Sequence, residues 1–108
     1  MATQHASPGE IVNLETWADD QPDSRTKAIV KTDEMELIRL SLPLGKEIPN
    51  HKVSGPITVH CIKGKIEFTA MGATQELSQW ELLHLMPGEP HSVTAIEDSV
   101  VLLTIIFK

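Results

Sequence analysis

The sequence predicts an all-β domain, a sandwich or barrel of two packed sheets. Three observations lead there. From Met35 onward, apolar residues recur with a period of two, as half-buried strands require. Glycine, proline and short polar clusters punctuate the chain at close intervals. No segment sustains the i, i+3, i+4, i+7 apolar stripe of an amphipathic helix.

Residues 1–9 are small, polar and Pro/Gly-containing, and read as a flexible tail. Residues 10–34 read as an N-terminal strand and loop packing on a barrel that spans 35–108. The strand is Ile11-Val12-Asn13-Leu14, and Trp17 to Lys27 reads as loop, with its Asp19-Asp20-Gln21-Pro22-Asp23 run. In Met35 to Leu42, the residues Ile38, Leu40 and Leu42 share one face, and Pro43 and Gly45 end the strand. Ile57 to Ile62 follows, with Ile57, Val59 and Cys61 inward. Lys63-Gly64-Lys65 turns into Ile66 to Ala70, and Met71-Gly72-Ala73 turns into Thr74 to Leu77. Glu81 to Leu85, Ser92 to Ile96 and Val100 to Phe107 complete the set. The last of these is apolar on both faces, so it needs cover on both sides. In a chain of 108 residues a second subunit is one such cover, and a homodimer is expected.

Composition narrows the function classes. Hydrophobic residues make up 41% and charged residues 22%, which is ordinary for a globular domain and argues against disorder throughout. The net charge is −6. In residues 1–36, eight carboxylates (Glu10, Glu15, Asp19, Asp20, Asp23, Asp33, Glu34 and Glu36) face only Arg25, Lys27 and Lys31. Without a basic stripe, neither nucleic acid nor an anionic membrane surface is an expected partner. Cys61 is the single cysteine, so there is no internal disulfide and no thiolate cluster for zinc. The N-terminus lacks the basic start and apolar run of a secretory signal, and Val100 to Phe107 is too short to span a bilayer. A cytoplasmic location is expected.

Two stretches carry a family resemblance. The first is Gly45-Lys46-Glu47-Ile48-Pro49-Asn50-His51-Lys52-Val53-Ser54-Gly55-Pro56-Ile57, continuing to Gly64; the second is Met86-Pro87-Gly88-Glu89-Pro90-His91. Together they resemble the paired motifs of the cupin superfamily. The first motif of that family is a glycine, five residues, His-x-His, three or four residues, Glu, six residues and a glycine. Gly45, His51 and Gly64 match it in register, while Val53 and Ile57 stand where the second histidine and the glutamate would be. The second stretch looks like the family's Pro-x-Gly-x-x-His turn, with Gly88 and His91 in place and Pro87 at a common variant position. Trp80 replaces that motif's leading glycine and Ala95 its trailing asparagine, and fifteen residues separate Gly64 from Trp80, as in compact bacterial cupins. The resemblance covers roughly Met35 to Lys108 and implies a cupin-type double-stranded β-helix, a jelly-roll barrel of two packed antiparallel sheets.

It also implies a site. Metal-binding cupins hold iron, manganese, nickel or a similar ion with three histidines and a glutamate that point into the barrel. This chain keeps two of those positions, His51 and His91, which the motif places at one end of the barrel, facing inward. Two neutral imidazoles alone hold a divalent ion weakly, since protein sites supply three or more ligands. One reading is therefore a small-molecule pocket with His51 and His91 as polar anchors in an apolar barrel. The other is a metal-dependent enzyme of dioxygenase or isomerase type, with iron, manganese, nickel or zinc in an incomplete shell. His84, which interrupts Leu82-Leu83-His84-Leu85, is a candidate extra ligand, although a lone histidine in an apolar strand is more often structural. A further alternative is a module that oligomerises or senses a ligand. Cys61 reads as core, because no cationic neighbour is visible to activate a thiolate. Arg39 reads as an outer-face arginine in solvent, with carboxylate binding as the alternative. His60 alternates away from Ile57 and Val59, and so points outward or into an interface. Fold analogy does not decide whether the chain is catalytic.

Overall fold

A computed structural model describes residues 5–16 and 26–107, with the backbone alone for Thr26, Asn50 and His51. Its elements are nine strands: β1 (Thr26–Lys31), β2 (Met35–Leu42), β3 (Glu47–His51), β4 (Ile57–Lys63), β5 (Lys65–Ala70), β6 (Ala73–Ser78), β7 (Leu82–Leu85), β8 (His91–Ala95) and β9 (Ser99–Ile106). They form two antiparallel sheets, ordered β1-β2-β9-β4-β7 and β3-β8-β5-β6. The described residues contain no helix, and none is long and apolar enough to cross a membrane. The all-β, two-sheet expectation therefore holds.

Alternation builds the core. Leu40 and Leu42 of β2, Ile57, Val59 and Cys61 of β4, and Val101 and Ile105 of β9 face the second sheet. From that sheet Ile66, Phe68, Leu77, Val93 and Ala95 meet them. Because the side-chain period is two, the register of β2 against β9 (Leu40 opposite Val101, Ile38 opposite Leu103) aligns both apolar sets on one face. Two glycines are required where strands enter and leave this packing. A Cβ on Gly55 would collide with the Ile106 carbonyl, and one on Gly64 (φ +82°) with the Asp98 carbonyl.

Two strands arise where the sequence suggests none. The loop reading extends through Lys27, yet Thr26 to Lys31 pairs with β2 around a bulge between Ala28 and Val30. The stretch Glu47–His51 carries Pro49, which lowers its strand signal; as β3 it forms a sheet edge, the place where a missing N–H donor is tolerated.

The expected strand at Ile11 to Leu14 does not form. Ile11 is 94% exposed. The chain turns instead, with the Asn13 side-chain oxygen accepting from the Glu15 amide at 2.9 Å, a local bond that competes with sheet pairing. Residues 5–16 lie as a strap over the outer face of β1, β2 and β9. The Ala6 amide donates to Ile29 O at 2.7 Å. Arg39 corrects a second expectation: it is not in solvent but 3% exposed. Its Nε donates to Leu14 O at 2.7 Å and its Nη2 to Glu15 O at 2.8 Å. Val12 and Leu14 of the strap share a groove with Leu37 and Leu102. Part of the cover that β9 requires on its outer face thus comes from the chain itself.

Trp80 has φ of 73°, a left-handed conformation that costs most side chains about 1–2 kcal/mol. It occupies the position of the leading glycine in the second cupin motif, and the backbone is pinned there: Trp80 N donates to Cys61 O at 2.7 Å and Cys61 N to Glu81 O at 2.9 Å.

Candidate functional site

The chain between β7 and β8 sets the first functional side chain. Pro87 and Gly88 (φ +78°) form the corner of a turn, the pairing that suits a type II geometry. The Gly88 amide donates to Val53 O at 2.8 Å, which ties the second motif to the first. After this turn, β8 begins at His91, with its side chain inward and 3% exposed. Its Nδ1 lies 3.0 Å from Glu89 O. A carbonyl can only accept, so Nδ1 carries the proton, and in the neutral ring Nε2 holds the lone pair. The imidazole also stacks on Phe68, with centroids 5.5 Å apart and planes inclined by 12°. Hydrogen bond and stack together fix the ring's orientation.

His91 and Phe68 border a cavity of about 310 Å³ between the sheets. Ile48 and Val93 complete its wall on their own sheet, and Leu40, Val59, Val101 and Leu103 form the opposite wall. His91 is the single polar side chain among these lining residues.

The backbone of His51 pairs directly opposite that of His91 across β3 and β8. The inward orientation expected of the His51 imidazole lies outside the described residues. His84 is not brought to this site. It is exposed, on the face of β7 opposite the buried Leu85, with Nδ1 3.1 Å from Ile57 O. As an added ligand for the barrel interior it is on the wrong side of the sheet. His60 is half-buried on the same outer face, its ring 6.1 Å from that of Trp80.

The positions where the cupin motif has its second histidine and its glutamate hold packed apolar side chains. Ile57 is 2% exposed within the core, and Val53 packs against that core. Among the described residues no group of three or more His, Cys, Asp or Glu could hold a metal ion. These residues do not fit the four-ligand centre that the resemblance implies.

Cys61 faces inward as expected, and is fully buried. Burial pushes its thiol pKa up; a hydrogen bond with the Lys63 backbone opposes this, and the charges of Glu81 and Glu97 add to the rise. That is the opposite of what an activated nucleophile needs.

No protein-family model and no curated protein matches the chain. Solved structures do. A cupin-2 domain-containing protein from Shewanella frigidimarina superposes with a TM-score of 0.75 at 11% identity, covering 89% of this chain and 94% of that one. The chain has the cupin fold. A conserved protein of unknown function from Streptococcus pyogenes matches with a TM-score of 0.78 at 20% identity, over 98% of this chain and 94% of that one. KdgF from a Halomonas species matches with a TM-score of 0.70 at 18% identity, over 77% of each chain. At these identities the likeness establishes the cupin fold, and function rests on the site.

Cavity lining is where sequence reasoning was least complete. Phe68 and Val93 fit plain strand alternation, and nothing in the local pattern marks them as bordering a void. Their inward parity was visible, but the space between the sheets depends on volumes contributed by strands far apart in sequence.

Proposed function

We propose that this cupin barrel is a binding chamber for a small apolar molecule, with His91, and His51 opposite it, as polar anchors. The observation that carries this reading is the cavity of about 310 Å³ with apolar walls and one oriented imidazole. Small-molecule sites have this character: a concave apolar surface with a few placed polar groups that set orientation. Opposed residues in an antiparallel pair share a face, which supports His51 as the second anchor.

The test is a thermal-shift screen of small apolar compounds against the wild-type chain, His91→Ala, His51→Ala and the cavity-filling Val93→Phe. Compounds that stabilise the wild type should lose their effect in Val93→Phe and weaken in the histidine variants. Neither histidine supplies much apolar core, so both alanine variants should still fold. Hits that stabilise Val93→Phe as strongly as the wild type would place binding elsewhere.

A second reading, a metal-dependent cupin enzyme using iron, manganese, nickel or zinc, is supported only by the paired backbones of His51 and His91. Calorimetric titration of each ion into the chelator-treated, untagged chain discriminates the two. Stoichiometric binding that His91→Ala abolishes favours the metal reading.

A further inference from the structure

The chamber's walls also specify the class of ligand, an inference that rests on the small-molecule reading above. Liquid water occupies about 30 Å³ per molecule, so a cavity of about 310 Å³ has room for roughly ten waters, or for a ligand of roughly ten non-hydrogen atoms. Of the described lining side chains, none is Lys, Arg, Asp or Glu. A charged group entering such a space loses its hydration and meets no permanent countercharge among the described lining side chains, which disfavours its entry. The chain's net charge of −6 adds to this bias against anions.

The shape of the wall narrows the class further. Part of one wall is aromatic: Phe68 and His91 both border the cavity and stack on each other, with planes inclined by 12°. The rotation of the His91 ring is fixed by the bond from Nδ1 to Glu89 O at 3.0 Å. Flat rings gain from offset or edge contact with such a surface, whereas puckered aliphatic rings gain only area burial. Facing it are the branched side chains Val59, Val101 and Leu103.

We infer that the chamber selects uncharged planar ring compounds of about ten non-hydrogen atoms over carboxylates and puckered analogues of equal size. Three probes isolate the two criteria. Benzamide is planar and neutral, benzoate replaces its amide by a carboxylate, and cyclohexanecarboxamide keeps the amide on a puckered ring. Benzene reports whether the cavity is accessible at all.

Each probe is titrated into the full chain at pH 8 and followed by the NMR signals of Phe68, His91 and Val93. Benzene and benzamide should shift these signals saturably. Benzoate should bind at least about tenfold more weakly than benzamide, a difference of about 1.4 kcal/mol. Cyclohexanecarboxamide should also bind more weakly. If benzoate or the puckered amide equals benzamide, the proposed class is overturned while the chamber itself stands. If benzene and benzamide both leave the three signals unmoved, the chamber reading and this inference fall together.

Discussion

Phe68 couples the stability of the barrel to the geometry of the site, and its truncation tests both. The side chain is 2% exposed, packs within the core cluster, borders the cavity and carries the His91 stack. Phe68→Ala removes about 100 Å³ of side chain, which at about 24 cal/mol per Å³ of residual void amounts to about 2.4 kcal/mol. Loss of apolar burial adds about 1.5–3 kcal/mol. The ring already faces the existing cavity on one side, so it makes fewer contacts than a fully enclosed phenylalanine, and the low end of that range applies. A total near 4 kcal/mol is expected, a large part of a small domain's stability. Urea denaturation followed by far-ultraviolet circular dichroism reads it as a fall in midpoint with an unchanged slope. Phe68→Leu keeps most of the volume and should cost about 1–2 kcal/mol, which provides a reading if the alanine variant is too unstable to purify. A loss under about 1 kcal/mol for Phe68→Ala would refute the packing described for this ring, and with it the wall that orients His91.

Four further outcomes are expected. Met71 and Gly72 form the two-residue β5–β6 loop with φ of 55° and 77°, the type I′ signs that favour Asn-Gly, so Met71→Asn should raise stability by about 0.5–1 kcal/mol in the same denaturation assay. Arg39→Met keeps the apolar stem but removes the donors to Leu14 O and Glu15 O; hydrogen exchange at the Ala6 amide should accelerate while β4 and β5 stay protected. Burial raises the Cys61 pKa above 9.0, so above pH 9.0 the unfolded thiol ionises first and stability falls until pH passes the native value; Cys61→Ala should flatten that fall, which has a limiting slope of about 1.36 kcal/mol per pH unit. Light scattering is expected to give twice the 11.9 kDa chain mass, with copies meeting over the exposed Leu82 (59%) and Trp80 (67%); Leu82→Glu should shift it to monomer, and a wild-type monomer at micromolar concentration removes the claim.

Local pattern alone determined the all-β class, and for a physical reason. Strand parity and turn chemistry are properties of neighbouring residues, so Ile57, Val59 and Cys61 announce one inward face of β4, and Met71-Gly72 a hairpin, before any tertiary contact is known. The glycine and histidine spacing also made the cupin fold legible. What needed the tertiary structure was everything that depends on distant partners. Pro49 speaks against a strand until β3 is seen at a sheet edge. Arg39 reads as solvated until the strap's carbonyls arrive from residues 14 and 15 to accept from its Nε and Nη2. Ile11 to Leu14 has strand composition but takes a turn through Asn13, because the side-chain bond to the Glu15 amide is local and competes with sheet pairing. The cavity between the sheets is the clearest case. His91 could be picked out from its motif, but the stack on Phe68 and the gap between opposing walls arise only when β4, β5, β8 and β9 close on one another, since a void is set by the summed volumes of side chains that no local pattern relates.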